Sequence, residues 1–379
     1  MADMDTQLVG TDDFSHGLVT VLPPHLIPDG ASPLMQDVDL SENVGSVTKR
    51  LGQTQYMSPQ TVGANPWVSG LHDFVTSSGG VYLLVSANTD VYNVTGSGTY
   101  TSIFNAAMAG SDVNFVTFAD LAIIVNPNIT TQKWTGSGST SALLGTPPSN
   151  VNYVCVHKSR VWMANTSAGA SRLHYSSLAT PEDWTSSGDS GAGFIDINPN
   201  DGDHITGITP CGNALIIFKQ RSVFALYGNV PSQFLLRPLS TSVGCIAPKS
   251  IAGADNVVFF LSYLGLYVAT ENNISFVSYN IKPTLEQLSV AAKKIACGGK
   301  YRTNYWLCYD SNADGVNDSA YVFDYVHGLF FSYSNIRANR FVVRADNSFI
   351  TGGSDQVKVR QMESGTSDEG TAITGFWQS

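Results

Sequence analysis

The stretch Val81-Tyr82-Leu83-Leu84-Val85 leads through an Asn-containing turn into Asp90-Val91-Tyr92-Asn93-Val94, and this pair determines the architecture. Short apolar segments rich in β-branched and aromatic residues, bounded by Gly, Asn or Asp, are typical of paired β-strands. The same unit recurs about every 40 residues between Trp67 and Glu363. Its further copies lie at residues 115–125, 153–164, 214–227, 257–269, 305–325 and 341–360.

A unit of this size cannot bury both faces of its sheet on its own, so neighbouring units must stack face to face. Radial stacking of small antiparallel sheets is the architecture of a β-propeller. We therefore predict an all-β fold, a β-propeller of six or seven blades over residues 66–363. The aromatic residues fall at strand positions and are expected to fill the cores of the blades.

A low content of charged residues marks the whole chain. Of 379 residues, 43% are hydrophobic and 13% are charged, the latter about half of the usual share. Such a surface suits a subunit that buries much of itself against its own copies, or an extracellular or virion protein. The net charge of −10 argues against an electrostatic grip on nucleic acid. An acidic wall could still line a passage through which DNA slides.

The cysteine and histidine patterns exclude several classes of site. The cysteines form no CxxC pair, so we expect neither a zinc ribbon nor a redox pair but mainly buried free thiols; they are Cys155, Cys211, Cys245, Cys297 and Cys308. The seven histidines form no HxH or HExxH motif, so a catalytic zinc site is not expected. We also expect no signal peptide after the acidic start and no membrane insertion.

Four regions depart from the repeat. Residues 1–65 contain turn signals such as Pro28-Asp29-Gly30 and are predicted to form an extended N-terminal arm that ends in a hairpin. The polar stretch 165–203 is predicted to be a loop projecting from one face. Residues 283–294 show the spacing of a single helix. Residues 364–379 are predicted to be a C-terminal tail whose Phe376-Trp377 could dock on a neighbour.

Three segments carry a resemblance to a known family. They are the arm with Pro23-Pro24, Pro28-Asp29-Gly30, Asp37-Val38 and Lys49-Arg50-Leu51-Gly52; His174-Tyr175-Ser176 with Pro181-Glu182-Asp183-Trp184; and Ile205-Thr206-Gly207-Ile208 through Gly265-Leu266-Tyr267. Together they resemble the propeller-containing tail nozzle or hub proteins of short-tailed bacteriophages, which stabilise packaged DNA. The resemblance is a loose pattern over most of the chain and contains no catalytic signature.

The resemblance implies a structural virion protein that is not an enzyme. It implies a homo-oligomer, a hexameric ring around the DNA ejection channel, that retains packaged DNA and lets DNA pass without sequence-specific binding. The expected partners are adaptor or portal-side tail proteins and tailspike or fibre proteins. The expected location is the tail of the virion, after assembly in the host cytoplasm. The arm and the tail are the segments that we expect to make contacts between subunits and with the adaptor.

The alternative hypothesis is a receptor- or glycan-binding tail propeller that could also hydrolyse glycosides. Glycoside hydrolysis requires two carboxylates on either side of the scissile bond. The neighbouring pairs Glu182 with Asp183 and Asp201 with Asp203 are the candidates. The segment Ser187–Phe194 also matches the turn motif of sialidase-like blades. Because it occurs once, chance in a Ser/Gly-rich loop explains it better.

One loop has the spacing of a calcium site. Oxygen-bearing side chains stand at relative positions 1, 3, 5 and 9, with Gly315 at position 6, as in a calcium-binding loop; these ligands would be Asp310, Asn312, Asp314 and Asp318. Tyr321 occupies position 12, where a bidentate acid is expected. The other interpretation is a polar hairpin tip with Asx turns. Calcium is the one cofactor that the sequence suggests, and it would serve rigidity.

Overall fold

Seven four-stranded antiparallel sheets make up most of the chain. The computed structural model describes residues 14–41, 45–60, 67–94, 98–106, 108, 110–254 and 256–378. Each sheet is a blade whose first strand lies innermost, and the inner strands of successive blades contact one another around the circle. The predicted all-β propeller is confirmed, with seven blades. No helix among the described residues is long and apolar enough to cross a membrane.

Within each blade, the strands succeed one another in chain order from the centre of the propeller outward. They are, in blade 1, Val68–Val75, Val81–Ala87, Asp90–Val94 and Tyr100–Asn105; in blade 2, Asn114–Phe118, Leu121–Val125, Gln132–Trp134 and Ser141–Ala142; in blade 3, Tyr153–His157, Arg160–Thr166, Gly169–Tyr175 and Gly193–Asp196; in blade 4, Ile205–Cys211, Ala214–Lys219, Val223–Tyr227 and Leu235–Ser240; in blade 5, Ala252–Ala254, Val257–Ser262, Gly265–Ala269 and Ile274–Phe276; in blade 6, Cys297–Tyr301, Asn304–Tyr309, Ser319–Asp324 and Leu329–Ser334; and in blade 7, Arg340–Val343, Phe349–Gly352 and Val357–Gln361.

A strand from the N-terminal region completes the last blade. Thr54–Gln60 pairs antiparallel with Val357–Gln361 and forms the fourth strand of blade 7. The inner strands of blades 7 and 1 are also in contact, so the circle closes. The propeller therefore begins at Thr54, before the boundary at residue 66 that the strand repeat suggested. Because the pairing joins the two ends of the propeller sequence, opening the circle would break a whole strand ladder.

The core lies between adjacent blades. The second strands are buried almost throughout, as in Leu121–Val125 and Ala214–Lys219. Aromatic side chains cross from blade to blade; the rings of Phe218 and Phe260, in blades 4 and 5, are 4.9 Å apart. These contacts confirm that the strand aromatics fill the blades, and such pairs add stability beyond their buried area.

The arm packs on the outer strand of blade 6. Its short strands pair Gly17–Leu18 with Ala31–Ser32, Leu34–Gln36 with the tail strand Phe376–Gln378, and Val38–Asp39 with Thr48–Lys49. The last of these pairs is the predicted hairpin, whose turn at residues 42–44 lies outside the described residues, as do residues 1–13. A further short pair in the tail joins Ser367–Asp368 to Thr371–Ala372. The tail thus docks on the arm of its own chain.

The stretch 165–203 does not form a projecting loop. It supplies the two outer strands of blade 3, Gly169–Tyr175 and Gly193–Asp196. The connection between them is held against the blade by buried Arg160, whose guanidinium donates to the carbonyls of Ser176 (2.7 Å), Gly191 (2.5 Å) and Asp189 (2.5 Å). The stretch looked like a loop because its strands are rich in Gly, Ser and His.

The single predicted helix is two short helices, Lys282–Gln287 and Val290–Ile295. Leu288 is extended, with a ψ of 134°, and Ser289 caps the second helix by accepting a hydrogen bond from the amide of Ala292. A serine cap competes with helix continuation and restarts the helix. Short 3₁₀ turns occur at Pro24–Leu26, Pro231–Gln233, Pro248–Ser250 and Tyr279–Ile281.

Candidate functional site

A buried ion cluster, here called the clasp, fastens the arm and the tail to blade 6. It consists of Arg50 and Asp37 from the arm and Asp368 from the tail. The Arg50 side chain is 2% exposed; its Nε donates to Asp37 Oδ1 at 2.5 Å, and Nη1 and Nη2 donate to the two carboxylate oxygens of Asp368 at 3.0 and 2.6 Å. Burial alone would lower the pKa of Arg50, but the two carboxylates outweigh it and raise the pKa.

The clasp is also bonded to the blade itself. Arg50 Nη2 donates to the carbonyl of Ser334, in the outer strand of blade 6, at 3.0 Å. The amide and hydroxyl of the same serine donate to Asp37 at 3.0 and 2.5 Å. One arginine therefore joins three parts of the chain that are far apart in sequence.

Asp37 and Gly52, two arm residues of the resemblance, also determine the course of the arm. Asp37 has a φ of +57°, which the two hydrogen bonds from Ser334 help to hold. A Cβ on Gly52 would lie 2.1 Å from the carbonyl oxygen of Ser367, so this position requires glycine. The residues that carry the resemblance in the arm are thus architectural.

The suggested calcium loop folds as a hairpin tip. Asp310 is buried and its carboxylate accepts the amides of Ala313 at 2.7 Å and Gly315 at 2.8 Å. Asp318 accepts from the amide and hydroxyl of Ser311, and Asp314 accepts from the amide of Val316. The three aspartates do not converge, and within the described ranges no group of three or more His, Cys, Asp or Glu side chains could hold a metal ion. This geometry favours the hairpin interpretation.

The four carboxylates that are candidates for a glycosidase pair are occupied by structural bonds. Glu182 bonds Lys133 at 2.6 Å, and Asp201 bonds the buried ammonium of Lys219 at 2.7 Å. Asp183 accepts the amides of Thr185 and Ser186, and Asp203 accepts those of Gln220 and Arg221; all four carboxylates thus hold loops or buried cations in place.

The pKa values of Glu182, Asp183 and Asp201 also argue against a glycosidase active site. The bonds of Asp183 with Ser186 and Thr185 lower its pKa. Burial raises the pKa values of Glu182 and Asp201, but their lysine partners outweigh this and lower them. A general acid in a glycosidase needs a raised pKa. These three groups are therefore unsuited to that role.

The segment Ser187–Phe194 lies in the connection between the third and fourth strands of blade 3. The carboxylate of Asp189 accepts from the amide and hydroxyl of Ser232. Phe194 is exposed and lies 3.9 Å from the guanidinium of Arg172. These contacts are those of a turn that ties blade 3 to the outer edge of blade 4.

The five cysteines are free and buried, as the sequence predicted for most of them. Burial raises the pKa of Cys155, and burial raises that of Cys245 to about 12 despite hydrogen bonds with Ser250 and Ala247. The thiols of Cys155 and Cys245 therefore stay protonated at neutral pH. They are poor nucleophiles, since the thiolate is the reactive form.

The inner strands surround a central channel. A cavity of about 220 Å³ lies between them and is lined by residues from all seven blades. A second cavity of about 300 Å³ lies at the end where the inner strands begin, and a third of about 630 Å³ lies at the opposite end. Charged groups meet at the first of these ends: Asp112, Lys249 and Arg340. Asp112 and Lys249 lie in two blade connections and Arg340 begins the inner strand of blade 7, so no local motif marked them.

No protein-family model matches the sequence, and no curated protein sequence matches it. Solved structures do resemble the fold. A streptogramin B lyase has 13% identity and a TM-score of 0.55 over 82% of this chain and 97% of its own. Virginiamycin B lyase from Staphylococcus aureus has 11% identity and a TM-score of 0.54 over 80% and 97%. The WD40 β-propeller domain of Doa1 has 10% identity and a TM-score of 0.54 over 82% and 96%. At such identities the likeness shows the propeller fold alone.

Proposed function

We propose that this chain is a structural subunit of a bacteriophage tail, a nozzle or hub protein that assembles as a ring around the DNA ejection channel. The observation that carries the proposal is the clasp. The arm residues that resemble the nozzle family, among them Asp37 and Arg50, bind the arm and the tail to blade 6. The family-like residues of the arm thus fix both terminal segments in place, which holds these segments in position for contacts between subunits.

The propeller suits the role of a rigid building block. Its circle is closed by a strand ladder between Thr54–Gln60 and Val357–Gln361, so the blades cannot separate without losing those hydrogen bonds. The four candidate carboxylates are bound to amides and lysines, and the pKa values of Glu182, Asp183 and Asp201 are lowered, whereas a general acid needs a raised pKa. Both features support a structural role over glycoside hydrolysis.

A cyclic ring needs a surface that meets a different surface of the next copy. The ribbon formed by Leu34–Gln36 and Phe376–Gln378 offers one, here called the arm surface. Met35 and Trp377 are paired and turn inward, whereas Leu34 and Phe376 are 49% and 48% exposed and lie diagonally on the outer face. Diagonal neighbours on one face of a strand pair are within reach of each other. We propose that the arm surface contacts the next subunit.

Light scattering on the purified chain tests this proposal. A ring of six has six times the mass of the 40.5 kDa chain. The double variant Leu34→Ser/Phe376→Ser should shift the protein to smaller species, because an apolar anchor typically carries much of an interface's binding energy. Leu235→Ser is the matched control, since Leu235 is 47% exposed on the outer strand of blade 4. A wild-type chain that stays monomeric at every concentration contradicts the proposal.

A further inference from the structure

The end of the channel where the inner strands begin gathers positive charge. Lys249 lines both the 220 Å³ cavity and the 300 Å³ cavity, Arg340 lines the first, and Lys294 lines the second. Asp112 is the acidic residue among the side chains that line these two cavities. This local excess of cations stands out in a chain with a net charge of −10.

The cations at this end are incompletely bonded by the protein. Arg340 Nε donates to the carbonyl of Ser69 at 3.0 Å. Its Nη2 is buried and lies 3.0 Å from Asp112 Oδ1, but it makes no hydrogen bond of good geometry to a described residue. Lys249 Nζ donates to Asn339 Oδ1. An ammonium carries three donors and a guanidinium five, so donors remain for a ligand.

The two cations also oppose each other. Burial lowers the pKa of Lys249; Asp112 raises it and Arg340 lowers it again, and the net direction is downward. Burial raises the pKa of Asp112, but Arg340 and Lys249 outweigh this and lower it. An additional negative charge between Lys249 and Arg340 would relieve this opposition.

We propose that this end of the channel binds a small oxyanion, with inorganic phosphate as the first candidate. The guanidinium of Arg340 offers a charged N–H donor to an oxygen of a phosphate or carboxylate, and Lys249 supplies a point charge. The two cavities at this end, of about 220 and 300 Å³, both have room for a phosphate ion. This site is independent of the proposed role in a tail.

Removing the negative charge of Asp112 is expected to strengthen anion binding. Its carboxylate lies 3.0 Å from Arg340 Nη2 and competes with an anion for that guanidinium. Asp112→Asn should therefore tighten phosphate binding, whereas Lys249→Met should weaken it at least tenfold. Lys300→Met is the matched control, because Lys300 lines the cavity at the opposite end of the channel.

Isothermal titration calorimetry of the full chain at constant ionic strength tests the site, with sodium phosphate in one arm and sodium succinate in the other. Saturable binding of either anion that Lys249→Met weakens, Asp112→Asn strengthens and Lys300→Met leaves unchanged supports the site, and the tighter anion identifies the ligand class. Absence of saturable binding in both arms, or binding that Lys249→Met and Asp112→Asn do not alter, overturns it. Circular dichroism establishes that each variant is folded, and Asp112→Asn remains informative if Lys249→Met is not.

Discussion

The clasp shows what a single arginine contributes at the residue scale. Arg50 is buried with two carboxylates, and removing one member of such a group leaves an uncompensated charge in the interior. Breaking a buried ion pair in this way costs about 3–5 kcal/mol. Asp37 and Arg50 also belong to the arm segment that carries the resemblance to tail proteins, and their contacts give them a role in folding.

Asp368→Ala should lower the free energy of unfolding by about 3–5 kcal/mol, because Arg50 loses its bidentate partner. Asp196→Ala is the matched control: Asp196 also bonds an arginine through both oxygens, but that pair is largely exposed. It should cost about 1 kcal/mol or less. Urea unfolding measures the free energy of unfolding of both variants. Equal losses would show that the clasp stabilises the chain no more than the pair of Arg172 and Asp196.

His72 gives a pH dependence with a definite sign. Burial between blades 1 and 2 lowers its pKa from 6.5 to about 4, and Asp73 only partly offsets this. Between about pH 6.5 and 4 the unfolded chain binds a proton that the folded chain does not, so stability falls as the pH falls through this window. One such proton corresponds to a slope of about 1.4 kcal/mol per pH unit.

His72→Gln should remove part of that slope, while His25→Gln on the exposed arm should not. His157 and His174, whose pKa values burial also lowers to about 4, should retain the remainder. Urea unfolding at a series of pH values measures the slopes. A slope in His72→Gln as steep as in the wild type would contradict the assignment.

At the element scale, the strand Thr54–Gln60 determines whether the circle is closed. Met57 is 2% exposed and pairs with Val359 in blade 7. Met57→Ala should therefore lower the free energy of unfolding by about 2–5 kcal/mol. Leu26→Ala, on an exposed part of the arm, should change it by about 0.5 kcal/mol or less. Small effects from both substitutions would place residues 54–60 outside the core.

Melting with and without calcium distinguishes the two interpretations of residues 310–318, a calcium site or a polar hairpin tip. Since the Asp310 carboxylate accepts loop amides and the three aspartates do not converge, we expect calcium to leave the melting temperature unchanged relative to EDTA. Asp310→Ala should destabilise the chain in both buffers, because the loop amides of Ala313 and Gly315 lose their acceptor. A melting temperature that rises with calcium and loses that rise in Asp314→Ala would establish the calcium site instead.

The parts of the fold that the sequence predicts are those determined by residues close together in the chain. Alternating apolar strands and Gly/Asn/Asp turns gave the propeller, and the arm hairpin followed from its turn residues. Sequence reasoning missed the closing strand, because the pairing of Thr54–Gln60 with Val357–Gln361 spans the whole propeller. It also missed Asp112, Lys249 and Arg340, since only the closed circle of blades brings these residues together. Contacts of long sequence separation leave no local pattern to read.

At the scale of the whole molecule, a closed propeller holds two terminal segments on one blade, and the apolar arm surface lies on those segments. The rival account, a glycan-degrading tail propeller, predicts release of reducing ends from host surface polysaccharide. The structural account predicts none, because Glu182, Asp183, Asp201 and Asp203 are held by lysines and amides.

Cryo-electron microscopy of the purified chain images both the assembly and the contacts within it, and therefore decides whether the arm surface joins neighbouring subunits. We expect a closed ring of propellers around an open channel, with Leu34 and Phe376 of each copy against the next. A population of single propellers, or a ring whose subunits meet with the arm surface facing solvent, would contradict it.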